Sequence, residues 1–129
     1  MTKIMIIDDD TEAIENLSII LQSEDFTVSS RDQLEGAVEA LIEEKPDILI
    51  LDVMFPENPA GGFDLAREIR KNPETKDLPI ILLTAVNQEF PMDFSAEDIN
   101  EEWFPVQDLI EKPVDLQALK EKIANILSS

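Results

Sequence analysis

The sequence predicts an α/β fold, with a five-stranded parallel sheet, doubly wound, and helices on both faces. Three observations predict it. Uninterrupted apolar runs recur at "KIMIID" (3–8), "DILILD" (47–52) and "PIILLTA" (79–85), as in strands buried on both faces. Apolar residues at helical spacing fill most of the intervals. Strand thus alternates with helix five times, which builds βαβ units with right-handed crossovers. A chain of 129 residues fits one compact domain with one core, so residues 1–129 are expected to form a single unit.

Each element has its own signal. The first strand, 3–8, runs into three aspartates, and Thr11 stands where the N-cap of the first helix belongs. Ile14, Leu17 and Leu21 share one face of that helix. "FTVSS" (26–30) is the second strand. Leu34, Val38, Leu41 and Ile42 form the stripe of the second helix, which Pro46 closes before the third strand, 47–52. Leu65, Ala66 and Ile69 mark the third helix, and Pro73 and Pro79 punctuate the way to the fourth strand, 79–85. "VQDLIEK" (106–112) is the fifth strand. Asp115 then caps a last helix striped by Leu116, Leu119, Ile123 and Ile126. The least regular stretch is 86–105, with two prolines, many acids and no basic residue; "SAEDINEE" within it has the makings of a short capped helix.

Composition excludes several functions. With no cysteine there are no disulfides and no thiolate metal sites. With no histidine the chain lacks the commonest general base and zinc ligand, and cannot carry phosphate on its own imidazole. A formal net charge of −19 repels nucleic acid and anionic membranes and leaves protein surfaces or cations as partners. No apolar run approaches membrane-spanning length and no signal-peptide pattern opens the chain, so a cytoplasmic domain is expected.

The polar strand ends carry the functional signal. In an open parallel sheet, ligands bind beyond the carboxyl ends of the strands, near the point where strand order reverses. Asp8, Asp9 and Asp10 follow the first strand, Asp52 ends the third, Thr84 the fourth and Lys112 the fifth. Each has an ordinary explanation singly: helix-start charge, turn former, strand residue, solvated lysine. Together they occupy one rim. Two like charges ~4 Å apart repel by ~4 kcal/mol at the effective dielectric of a protein rim. Clustering Asp8, Asp9 and Asp52 therefore calls for a cation beyond Lys112, and a hard divalent ion such as Mg²⁺ (or Mn²⁺), which keeps several waters at an open rim, fits best. A carboxylate nucleophile, a divalent cation, a hydroxyl and an ammonium are the set that phosphoryl transfer to a carboxylate uses.

These residues resemble the receiver domain of the two-component response regulator family. The resemblance rests on "IIDDD", "LILDVMFP", "ILLTA" and "EKP", in that order and strand placement, and covers essentially the whole chain. It implies a flavodoxin-like sheet of order 2-1-3-4-5. It implies Asp52 as phosphoacceptor, Asp8 and Asp9 as the acidic pair with Asp9 a direct Mg²⁺ ligand, and the Met54 carbonyl as a further ligand. It implies Thr84 as switch hydroxyl and Lys112 as phosphate contact, with Pro113 beside it. The implied donor is a histidine kinase or histidine phosphotransfer protein, and the output is contact with a downstream protein rather than nucleic acid or membrane. Asp10 is left with the role of helix-terminal charge.

The sequence departs from the family pattern in three places. The turn after the acceptor is lengthened to "FPENPAGG" (55–62), where Gly61 and Gly62 are expected to supply flexibility. The aromatic switch position, three residues before Lys112, holds Leu109. The interval from Thr84 to Lys112 is longer than usual and carries Phe90, Phe94, Trp103 and Phe104.

Two other readings compete. A haloacid-dehalogenase-type phosphatase needs D-x-D-x-T; Asp8 and Asp10 satisfy the acids, but Glu12 holds the threonine position and there is no room for a cap. A pseudo-receiver that binds protein without phosphorylation is opposed by the intact acidic pair, Asp52, Thr84 and Lys112. A GxxxxGK[ST] phosphate loop is absent, which leaves nucleotide hydrolysis unsupported.

Overall fold

The computed structural model describes residues 2–53, 55, 61–85, 108–112 and 116–127. Its elements are β1 (Lys3–Ile7), α1 (Thr11–Ser23), β2 (Thr27–Arg31), α2 (Ala37–Glu44), β3 (Ile48–Asp52), α3 (Gly61–Lys71), β4 (Ile80–Ala85), β5 (Asp108–Lys112) and α4 (Leu116–Leu127). The strands form one parallel sheet of order β2-β1-β3-β4-β5, as the sequence and the resemblance predict.

Strand alternation divides the apolar residues into two cores. Met5, Ile7, Leu49, Leu51, Ile80 and Leu82 face α2 and α3, where Leu41, Leu65, Ala66 and Ile69 meet them. Ile4, Ile6, Ile48, Ile50, Ile81 and Leu83 face α1 and α4, packing on Ile14, Leu17, Leu21, Leu119 and Ile123. Ile4–Ile7 of β1 and Ile48–Leu51 of β3 are uninterrupted apolar runs because both faces of these central strands are covered. Every helical stripe read from the sequence contributes to one core or the other.

The boundaries differ from expectation for local reasons. Asp10, not Thr11, is the N-cap of α1: it is extended (φ −87°, ψ 101°) and its Oδ1 accepts from the Glu12 and Ala13 amides at 3.0 and 3.2 Å. Aspartate out-competes the following threonine because its carboxylate satisfies two orphan amides and opposes the positive helix end. Leu34 lies outside α2, since Gly36 in the left-handed region (φ 76°) turns the chain just before the helix begins. Leu34 still packs on the α2–α3 core from that turn. The expected helix in 86–105, and the expected cap at Asp115, lie outside the described residues.

Asp10→Ala is expected to cost about 1 kcal/mol of stability through the lost cap. Because Asp10 reaches the rim only through its backbone amide, Mg²⁺ should stabilise this variant as much as the wild type. Thermal melts with and without Mg²⁺ at constant ionic strength check both statements; a lost Mg²⁺ response would make Asp10 a ligand instead of a cap.

Candidate functional site

The parallel register dictates what meets at the rim. Ile7 is level with Leu51, and Asp52 with Leu83, so the chain beyond β1, the end of β3 and the end of β4 arrive at one edge. Backbone bonds continue each pairing past the strands: Asp8 N–H donates to the Arg31 carbonyl at 3.1 Å, and Val53 N–H to the Leu83 carbonyl at 3.2 Å. Thr84 follows Leu83 near the end of β4, and Lys112 closes β5 level with Ala85.

Asp8, Asp9 and Asp52 converge here. Each offers a carboxylate oxygen, and the three oxygens lie within 4.8 Å of one another. Asp8 is 0% and Asp52 6% exposed, whereas Asp9 lies open to solvent. Two buried acids and one exposed acid make a half-sunk bowl of hard oxygen donors. That chemistry fits a divalent cation which keeps part of its water shell, so the group could hold a metal. Asp8 is fixed further by the Asp10 amide, which donates to its Oδ1 at 2.9 Å. Asp10 thus has two parts, capping the start of the first helix with its side chain and orienting Asp8 with its amide, without joining the carboxylate group.

The sequence-predicted residues fare unequally. Asp8, Asp9 and Asp52 are brought together. Thr84 and Lys112 are placed by their backbones in β4 and β5, at the same end of the sheet. Met54, Pro113 and the 86–105 segment lie outside the described residues. Gly61 and Gly62 do something other than loosen a turn. Both are buried in the first turn of α3, and neither has a left-handed φ. Gly62 N–H donates to the Val53 carbonyl at 2.9 Å, so the glycines let the helix lie directly on the end of β3.

This geometry is shared with known proteins. Residues 4–124 match the family model described as response regulator receiver domain. The chain belongs to that family. As a receiver domain it is 32% identical over 127 residues to the transcriptional regulatory protein AfsQ1 of Streptomyces coelicolor; the match covers 98% of this chain but only 52% of that protein. The chain therefore spans about half the length of this curated relative. Among solved structures, a response regulator from Chloroflexus aurantiacus J-10-fl superposes with a TM-score of 0.83 at 32% identity, covering 99% of this chain and 98% of the other. A CheY-like receiver domain protein from Methanospirillum hungatei JF-1 gives 0.76 at 27%, covering 98% and 94%. The receiver domain has, among its described residues, no helix long and apolar enough to cross a membrane.

Proposed function

We propose that this receiver domain takes a phosphoryl group onto Asp52 from the phosphohistidine of a histidine kinase or histidine phosphotransfer protein, and signals by contacts that depend on that group. The observation that carries the reading is the convergence of Asp8, Asp9 and a buried Asp52 on one point of the rim. A carboxylate oxygen of Asp52 attacks phosphorus, the bond to the donor nitrogen breaks, and an acyl phosphate forms. Asp8, Asp9 and Asp52, with the Met54 carbonyl, would hold Mg²⁺ (or Mn²⁺). Bound there, the ion would neutralise phosphoryl oxygens as charge develops. Lys112 would contact the phosphoryl group, and the Thr84 hydroxyl would hydrogen-bond it afterwards.

On this reading the domain, residues 1–129, is a signalling unit and not an enzyme: it catalyses only its own phosphorylation and dephosphorylation. Its charge of −19 favours a protein partner over nucleic acid or an anionic membrane. The test is incubation with acetyl phosphate and Mg²⁺, followed by reductive trapping and peptide mass spectrometry. Label is expected on Asp52; label elsewhere, or none, would refute the assignment and favour a pseudo-receiver.

The lifetime of the phosphoryl group yields a further prediction. Hydrolysis needs a water in line with phosphorus. Met54 and Val86 stand two positions past Asp52 and two past Thr84, and neither side chain can orient a water or act as a base. Slow dephosphorylation is expected, with Val86→Glu or Met54→Asn shortening the lifetime by roughly tenfold or more. Decay is followed after donor removal, in Mg²⁺ at neutral pH. Loss within seconds in the wild type, or slower loss in both variants, would defeat the prediction.

A further inference from the structure

We propose that Gly62 is a positioning residue for the acceptor: with no side chain, it lets the first turn of α3 seat on the Asp52–Val53 peptide and hold Asp52 in register with Asp8 and Asp9. The proposal rests on the reading of Asp52 as the phosphoacceptor.

The two adjacent glycines, Gly61 and Gly62, do different work. The nearest atoms to a Cβ on Gly61 would be side-chain atoms: it would overlap Leu34 Cδ1 and come within 3.3 Å of Phe55 Cδ2. Those are the ends of movable groups. A Cβ on Gly62 would overlap the backbone carbonyl oxygen of Asp52 and lie 2.7 Å from Val53 Cα and 3.0 Å from the Asp52 carbonyl carbon. Backbone at the end of a fully buried strand has no rotamer by which to yield. Either the helix lifts or the Asp52 peptide turns.

Val53, the residue after the acceptor, is meanwhile pinned at both of its backbone polar groups. Val53 N–H is held by the Leu83 carbonyl of β4, one residue before Thr84, and the Val53 carbonyl is held by Gly62 N–H. The acceptor thus sits between β4 and the start of α3, and Gly62 supplies the helix side of the clamp. A small rotation of the Asp52–Val53 peptide would swing the Asp52 carboxylate away from a cluster whose oxygens lie within 4.8 Å of one another. Groups that orient ligands without touching the ion usually change metal affinity by 10–100-fold when altered.

Gly62→Ala and Gly61→Ala are therefore compared as full chains, with folding checked by circular dichroism and urea melts. Both variants add one methyl group to the buried first turn of α3. Free Mn²⁺ measured by electron paramagnetic resonance gives cation affinity, and acetyl phosphate gives the phosphorylation rate. Gly62→Ala should bind Mn²⁺ on the order of tenfold more weakly and take phosphate more slowly by at least that factor, while Gly61→Ala keeps wild-type values of both. Equal losses in the two variants, or none in Gly62→Ala, would overturn the proposal.

Should Gly62→Ala fail to fold, the wild type decides. If the Gly62 tie favours cation binding, the cation must strengthen the tie by the same factor. Mg²⁺ should then slow exchange of the Gly62 amide more than that of Gly61, and unchanged exchange at Gly62 would overturn the proposal. Mn²⁺ binding without any phosphorylation of the wild type would refute the acceptor assignment alone; the affinity difference between the two alanine variants would still stand as support for Gly62.

Discussion

Asp52→Asn is expected to abolish phosphorylation by acetyl phosphate and, in the absence of divalent cations, to make the protein more stable. The first effect follows from chemistry: a carboxamide oxygen is a poor nucleophile and cannot form the acyl phosphate. The second follows from electrostatics. Asp8 and Asp52 are 0% and 6% exposed, and oxygens of the two lie within 4.8 Å. Two charges at that separation repel by about 3.5 kcal/mol at an effective dielectric of 20. Local hydrogen bonds, including the Asp10 amide on Asp8, and water at the open side reduce what the fold feels. A gain of about 1–2 kcal/mol on neutralising Asp52 is the expected remainder.

Mg²⁺ should reverse the order. A ligand that binds only the folded chain stabilises it by about 2.7 kcal/mol at a hundred times its dissociation constant. The wild type should gain that stability, and Asp52→Asn, missing one of three carboxylates, should gain little. Asp9→Ala should behave like Asp52→Asn towards Mg²⁺. Urea melts in chelator and in Mg²⁺ at constant ionic strength check the crossing. A variant less stable than the wild type in chelator would mean that the carboxylates are not in repulsive contact, and undiminished label in Asp52→Asn would remove the acceptor.

How much of this was legible in the sequence depended on the kind of interaction. The sheet was, because burial on both faces writes uninterrupted apolar runs such as "ILIL" at 48–51, whatever the surroundings. The meeting of Asp8, Asp9 and Asp52 was, because topology brings the carboxyl ends of β1 and β3 together and no finer detail is needed. The cap was misread by one residue, because "DDDT" offers adjacent side chains with nearly equal capping power and backbone dihedrals choose between them. The glycine pair was misread more deeply. A glycine needed for a left-handed turn and one needed for close approach look the same in sequence, and only neighbouring backbone tells them apart. Gly36 is the first kind and Gly62 the second. The part of Arg31 was also hidden, since its carbonyl, which any residue would supply, anchors the Asp8 amide.

Ile50→Ala is expected to have the largest effect on stability among substitutions that leave the rim chemically intact. Ile50 lies at the centre of β3, 0% exposed, level with Ile6 of β1 and Ile81 of β4 and packed in the core beneath α1 and α4. Truncation removes three carbons and leaves a cavity that neighbouring strands, tied by their ladders, cannot collapse into; such changes cost about 2–5 kcal/mol. Against a total of roughly 5–15 kcal/mol for a domain, the loss takes a large share of what holds the acceptor in place. Ile50→Val, which removes one methyl group, should cost only about 0.5–1.5 kcal/mol. Because Ile50 touches the site only through the fold, Mg²⁺ should add the same increment to Ile50→Ala as to the wild type, and the folded fraction should still be phosphorylated on Asp52. Urea denaturation with an unchanged slope measures the loss. A cost below that of Ile50→Val would show that this core relaxes around the gap, and a vanished Mg²⁺ increment would show that packing under β3 shapes the carboxylate cluster directly.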